Sequence, residues 1–332
     1  MKTKATLIDG WVLRYSVTLA VLLWISFSPM GEAQAQKVRV AMPAKSMTFL
    51  NFYVGDKFGI YKAEGLEVSL EVIKTEVGVA GMVAGEIDYT GAIGSAMRAA
   101  ATGMPIKATM FSMDRVLIYM FAKPTIKSIE ELKGGKTVAT TGLLATPTYA
   151  AKIMARAHGL SPDKDLIFIA MGDVATVLTA LQSGAADVAM LSIPFNFKAE
   201  ELGFRNLGSA VDYLQTPFAG VAAADAKLKT NPSQVKRMIR ATLKAMEFTK
   251  DPANQEKVIG LLIDEFKLDR KTAALSLRDI VKVFTRDGTI PEDAVKAEIK
   301  EIREQAKLKG EIPVNQLVNY KLLEEVLAEM KR

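Results

Sequence analysis

The sequence runs through the same pattern twice. A β-rich run at Lys37–Ala41 is followed by a helical stretch ending at Gly65-Leu66. An alternating run, Val68–Ile73, comes next, then a helix that runs into Gly85-Glu86-Ile87-Asp88. The order recurs as Lys136–Thr140, a helix ending at Gly159-Leu160, the run Leu166–Ala170, and Gly184-Ala185-Ala186-Asp187. Lys136 follows Lys37 by 99 residues, Gly159 follows Gly65 by 94, and Gly184 follows Gly85 by 99. Each copy reads β-α-β-α-β, which calls for a mostly parallel sheet with helices on both faces. The glycines fit left-handed helix caps. Asp88 and Asp187 read as turn or cap residues, not as catalytic acids.

Past Lys227 the pattern changes to helices. Asn231-Pro232 and Asp251-Pro252 are helix starts, with proline at the first position. Asp269, Pro291 and Asn315 begin three more. Val235, Met238, Ile239, Leu243 and Met246 recur at helical spacing, as a buried stripe does. This tail carries no chemical motif, and its expected role is to pack on the first lobe. Two extended runs, Val116–Ala122 and Phe218–Ala224, mark crossings between lobes. The expected organisation is a discontinuous first lobe, 36–114 and 215–332, with a second lobe, 115–214, inserted in it. The fold class is α/β, two lobes joined by two hinge strands, with a cleft between them as the natural ligand site.

Residues 1–35 stand apart. Lys2, Lys4 and Arg14 precede the 11-residue apolar run Val17–Phe27, and Ala33-Gln34-Ala35 is a small-x-small site. This is the layout of a cleavable signal peptide, cut near Ala35. The run is too short for a bilayer, which needs about 20 residues. Export to the periplasm is expected. Both tryptophans, Trp11 and Trp24, leave with the signal.

Composition removes most chemistries. The 332 residues include no cysteine, so thiolate nucleophiles, thiolate zinc sites, disulfides and a lipidated N-terminal cysteine are excluded. His158 is the sole histidine, too little for a multi-histidine metal site, and a serine–histidine triad would have to draw on that one ring. The net charge is +6, but basic residues alternate with acids, as in Glu298, Lys300, Glu301, Arg303 and Glu304. That is a solvated helix face and not a nucleic-acid footprint. His158 reads as a helix C-terminal residue facing the dipole. Arg98, among alanines, reads as a surface or structural ion-pair residue. Asp114 and Arg115 lie near the first crossing, Gly172-Asp173 reads as a helix start with its N-cap, and the methionines read as core filler.

A resemblance follows from phrases in sequence. Phe58–Val68 (FGIYKAEGLEV), Val83–Tyr89 (VAGEIDY) and Met97–Lys107 (MRAAATGMPIK) are followed by Ile129–Lys136 (IEELKGGK) and Leu181–Ala189 (LQSGAADVA). In this order they resemble the exported solute-binding proteins of ATP-driven importers, in the group of nitrate, taurine, alkanesulfonate and thiamine-pyrimidine-precursor binders. The similarity spans roughly Lys37 to Lys250. It implies a type II periplasmic binding fold that closes on a solute and presents it to an inner-membrane permease and its ATPase, as a monomer and without a cofactor. Fungal pyrimidine-precursor synthases share the fold family, but they use a cysteine-rich segment that this chain lacks, so a binding module is expected and not an enzyme.

In open α/β sheets ligands sit beyond the carboxyl ends of strands, where helix N-termini suit anions. Four loops qualify. The first is Lys45 with Ser46, Met47, Thr48 and Phe49. The second, Thr90–Ser95, offers Thr90, Gly91, Gly94 and Ser95. The third, Thr140–Tyr149, offers Thr141, Gly142, Thr146, Thr148 and Tyr149. The fourth offers Ser192, Pro194 and Phe195. Any one serine or threonine here also reads as an ordinary cap; the ligand reading needs the loops to converge. Phe49, Tyr89, Tyr149, Phe195 and Phe218 are candidate apolar walls. With hydroxyls and glycines but few acids, the loops favour a small organic anion, sulfonate or carboxylate, over a metal ion or polyamine. A pyrimidine-like heterocycle is the alternative.

Overall fold

A computed structural model describes residues 35–143, 145–213 and 219–331 of the chain. The segment read as a signal peptide, apart from Ala35, lies outside the described residues, as do Leu144 and Phe218. Ten strands form two five-stranded sheets. They are β1 (Gln36–Met42), β2 (Leu66–Val72), β3 (Tyr89–Ala92), β4 (Ile106–Phe111), β5 (Ile118–Ala122), β6 (Lys136–Thr140), β7 (Leu166–Ala170), β8 (Val188–Ser192), β9 (Arg205–Ser209) and β10 (Ala219–Ala224). The first sheet has the order β2-β1-β3-β10-β4 and the second β7-β6-β8-β5-β9.

The repeat accounts for four strands in each sheet, one more than the sequence pattern marks. The fifth is exchanged. β5, which follows β4 in the chain, lies between β8 and β9 and is antiparallel to both. β10, which follows β9, lies between β3 and β4 and is also antiparallel to both. The runs read as crossings are thus interior strands of mixed sheets. The connections fall just ahead of them, after β4 and after β9. An interior strand is covered on both faces, and β10 (AGVAAA) is buried throughout. Its small side chains let neighbours come close: a Cβ on Gly220 would lie 2.1 Å from the Met110 carbonyl oxygen.

Side-chain alternation sorts the sheet residues into cores. In the second sheet Ile118, Met120, Val188 and Met190 face the helix Thr146–Ala157, while Phe121, Ala189 and Leu191 face Val174–Ser183. The helical tail covers the first sheet on both sides. Val235, Met238, Ile239, Leu243 and Met246 pack with Val38, Val40 and Val221, and Val295, Ile299 and Ile302 pack with Ile106, Ala108 and Ala222. The start signals hold at Asn231, whose side chain accepts from Gln234 N–H, and at Asp269, which accepts from Thr272 N–H. Asp251 caps a 3-10 turn before the helix Gln255–Phe266. Asn315 sits inside the short helix Val314–Leu317, and the last helix begins instead at Lys321.

The repeated Gly-x-x-Asp has one physical role in both copies. Gly85 and Gly184 end their helices at φ 79° each, a left-handed conformation that costs glycine nothing. Three residues on, the aspartate ties the return strand to the first strand of its copy. Asp88 Oδ2 accepts from Arg39 N–H at 2.8 Å and pairs with Lys227 through Oδ1. Asp187 Oδ2 accepts from the Thr137 N–H and hydroxyl, both at 3.1 Å, and Oδ1 pairs with Lys123 at 2.8 Å. Partial burial pushes the Asp187 carboxyl up, but hydrogen bonds from Lys123 and Thr137 outweigh it and hold the group below its ordinary value. A depressed carboxylate stabilises the fold above its unfolded pKa, about 3.9, and that contribution fades as pH falls through the folded value. Asp187→Ala is therefore expected to cost about 1–3 kcal/mol in urea melts at pH 7, because it strands a backbone N–H and a lysine. Asp187→Asn should flatten part of the stability loss below about pH 4. Equal stability of wild type and Asp187→Ala at pH 7 would refute the clamp.

Candidate functional site

The carboxyl ends of the strands from both sheets meet at one seam. Ser46, Thr48 and Phe49 from the first loop, Ala92 and Ser95 from the second, Thr141, Ala145, Thr146 and Pro147 from the third, and Ser192 from the fourth line a cavity of about 50 Å³ there. All four loops converge.

Five helices begin at this cavity. Phe49 is the N-cap of Leu50–Lys57, Ala92 of Ile93–Ala101 and Ala145 of Thr146–Ala157, and Val174 and Thr75 are the first residues of Val174–Ser183 and Thr75–Ala84. Ala92, Ala145 and Lys74, the N-cap of Thr75–Ala84, make no side-chain capping bond, whereas Leu50–Lys57 continues a 3-10 turn, Met47–Phe49, that Ser46 caps through Thr48 N–H. The fourth helix is capped by Asp173, which accepts from Thr176 N–H at 2.9 Å, as expected for Gly172-Asp173. The first turns of three helices thus keep N–H groups unclaimed by a cap side chain, together with the positive end of each dipole.

The hydroxyls join the two sides of the seam. Ser46 Oγ donates to Thr48 Oγ1 at 3.1 Å, accepts from Thr48 N–H at 3.3 Å and meets Ser192 Oγ at 3.1 Å. Ser46 has one proton, already given to Thr48, so Ser192 is the donor across the seam. Arg98 makes the second junction. Its Nη2 donates to Ser95 Oγ at 3.0 Å on its own helix and to Thr146 Oγ1 at 2.9 Å on the facing one. The guanidinium lies 5.5 Å from the centre of the Tyr149 ring and 4.0 Å from Glu298. Arg98 is thus a half-buried bridge between the two halves that keeps a structural ion pair with Glu298.

Other candidates sit elsewhere. Met47 is fully buried in the core. Thr90 donates to the Ala41 carbonyl and accepts from Ala92 N–H, so it shapes its loop. Gly91 is a packing glycine, with Phe52 and Phe49 within 3 Å of where its Cβ would be. Gly94 is buried in the first turn of its helix. The Gly142 carbonyl accepts from Thr148 Oγ1 at 2.7 Å. Pro194 caps the helix Phe195–Glu201, and Phe195 packs with the second sheet's core. Tyr89 is buried and donates to Gln234. Thr148 and Tyr149 line a larger neighbouring pocket. Asp114 and Arg115 pair with each other on the surface, and Arg115 also donates to the Lys282 carbonyl. His158 ends its helix, with Nδ1 2.6 Å from Glu130 and Nε2 2.8 Å from Tyr213 Oη. The histidine hydrogen bond, first among several, holds Glu130 down at about 2.

Side-chain chemistry missed Thr75, Ala92, Ala145 and Val174. The repeat could have found two of them, since Val174 follows Thr75 by 99 residues and both open the helix after the second strand of their copy. Among the described residues, no group of three or more His, Asp or Glu could hold a metal ion, and no helix is long and apolar enough to cross a membrane.

Residues 46–255 match the family described as NMT1/THI5 like. Over 259 residues, 76% of this chain and 72% of the relative, the sequence is 26% identical to the riboflavin-binding protein RibY of Chloroflexus aurantiacus. The fold is that of the periplasmic binding proteins. It matches the periplasmic nitrate-binding protein NrtA of Synechocystis at TM-score 0.75, with 13% identity and 90% of each chain covered. It matches the aliphatic sulphonate-binding protein SsuA of Escherichia coli at TM-score 0.67, with 17% identity, 86% of this chain and 92% of the other.

Replacing Arg98 by alanine should expose how strongly it joins the seam. The variant loses charged hydrogen bonds, each worth about 1.5–3 kcal/mol, so urea unfolding should shift by that order. An unchanged midpoint would mean that the junction contributes nothing.

Proposed function

This chain belongs to the NMT1/THI5-like family, and on that premise we propose that it is an exported solute-binding protein which captures a small organic anion, a sulfonate or a carboxylate, and delivers it to the permease of an ATP-driven importer. The observation that carries this reading is the meeting of five helix N-termini on one cavity, three of them, at Lys74, Ala92 and Ala145, without a capping side chain. Anionic oxygens accept from first-turn N–H groups and are stabilised by the aligned dipoles, without any basic side chain having to give up its water. Thr48 Oγ1 accepts from Ser46 and keeps its own proton to donate; the Thr141 hydroxyl lines the same cavity.

Binding makes and breaks no bond. Ser46 and Ser192 have no base beside them, and His158 is engaged with Glu130 and Tyr213 away from the cavity. Lobe 1 (36–114 and 215–332) and lobe 2 (115–214) close on the solute, with 112–117, between β4 and β5, as one flexing connection. The segment 1–35 directs export to the periplasm, where the closed monomer meets its permease.

A second reading is a planar heterocycle. It draws on the relative named for riboflavin binding and on the larger pocket next to the cavity. A thermal-shift panel separates the two. A solute at a hundredfold over its dissociation constant stabilises by about 2.7 kcal/mol. Sulfonates or carboxylates should raise the melting temperature by several degrees and flavins or pyrimidines should not; the reverse outcome transfers the assignment to the heterocycle. A response only to divalent metals or polyamines would sink both.

A further inference from the structure

The seam cavity and its neighbour differ greatly in size. The first encloses about 50 Å³, less than two water molecules' share of liquid volume. The second encloses about 430 Å³, within the range of organic-ligand pockets. The two share Thr75, Ser95 and Ala145, so they adjoin. The larger one lies between Ile93–Ala101, Thr146–Ala157 and Glu292–Ala306, the last a helix of the C-terminal tail.

Its walls are mixed. Val79, Met104, Leu143 and Ile302 are apolar, and Met104 and Leu143 are exposed although large and hydrophobic. Its cations differ in what they already do. Lys152 pairs with Asp163 at 2.8 Å, and Arg98 is bonded to Ser95 and Thr146. Arg156 makes no ion pair among the described residues. Tyr149, 4% exposed, also lines the pocket, and its hydroxyl has no hydrogen-bond partner among the described residues. A pocket of this size with a free guanidinium and an unpartnered phenol is built for more than an alkyl tail.

We infer that the solute is an elongated aromatic anion with two acidic groups, one at the helix N-termini of the seam and the other at Arg156, with its ring body against Met104, Leu143 and Ile302. This rests on the solute-binding reading and adds the solute's length, its ring and its second charge. Glu76 at the same pocket sets a limit, because it disfavours a third negative group.

Calorimetric titration of the purified protein with three probes tests it: ethanesulfonate, naphthalene-2-sulfonate and naphthalene-2,6-disulfonate. The disulfonate should bind about tenfold or more tighter than ethanesulfonate, one decade being about 1.4 kcal/mol. Met104→Trp, which fills the pocket, should weaken both naphthalene probes about tenfold and leave ethanesulfonate unchanged. Arg156→Gln should weaken the disulfonate about fivefold and the monosulfonate by less than about twofold. If ethanesulfonate binds as tightly as the naphthalenes and neither variant discriminates, the flanking pocket is empty in the complex and this inference fails while the solute-binding reading stands. If none of the three binds, the anion reading fails with it.

Discussion

The unclaimed N–H groups of three helices, gathered at one seam, constrain the rest of this molecule. A helix start without a cap forfeits about 0.5–2 kcal/mol relative to serine, threonine, asparagine or aspartate. Lys74, Ala92 and Ala145 accept that loss in one place. Side-chain caps occur at Asp173 beside the same cavity and at Asn231, Asp251 and Asp269 elsewhere. Other helix starts, at Pro194, Pro291 and Tyr320, also lack one, so what sets the seam apart is that its uncapped starts share one cavity. The first-turn charge of each helix, roughly half a unit, adds to its neighbours' there. On the proposed reading an anion resolves that crowding.

The exchanged strands make that seam possible. If each repeat kept its own five strands, the two sheets would be joined by single loops and could pivot freely. Here β5 leaves the first sheet to lie inside the second, and β10 returns from the second to lie inside the first. Every connection between the sheets therefore begins at a strand and ends in the middle of another sheet. On the proposed closing motion, a pair of such connections restrains the approach of the sheets to one path. The small side chains of β10 are the steric condition for its interior place, as the close backbone approach at Gly220 makes plain.

Much of this was legible in the sequence because it depends on period and on punctuation. The strands β6 and β7 fall where alternation put them, and the Gly-x-x-Asp phrases end helices in both copies. What hid was long-range pairing. Nothing in VLIYMFA or FAGVAAA says which sheet receives it, since an antiparallel interior strand and an extended crossing share the same apolar composition. At the site, the convergence of loops followed from fold logic, and side-chain chemistry picked out Ser46, Thr48, Phe49, Ser95, Thr141, Thr146 and Ser192, which line the cavity, along with residues that do not. Thr90, Gly91 and Thr148 carry the right chemistry and spend it on their own backbone or packing. Ala92 and Ala145 carry none and matter because they fail to cap. For Arg98 the structural ion pair is there, with Glu298, but the bridge to Thr146 and Tyr149, about fifty residues away, was not legible among alanines.

Proton accounting at the seam gives the last constraint on what binds. Ser46 holds two accepted bonds and one donated bond, so it has nothing left for a guest while Ser192 stays beside it. Its bond to Ser192 crosses between the two halves, as does the bond from Arg98 to Thr146. A solute entering the seam must either displace these two contacts or lie beside them. Displacement exchanges one hydrogen bond for another of similar strength and gains little net energy. Lying beside them keeps both contacts and adds the helix N–H groups, which no protein side chain has claimed. The second arrangement is favoured for acceptors over donors, because the free groups there are N–H and O–H protons. On the proposed reading, the seam would favour negative charge by what its own hydroxyls have already given away.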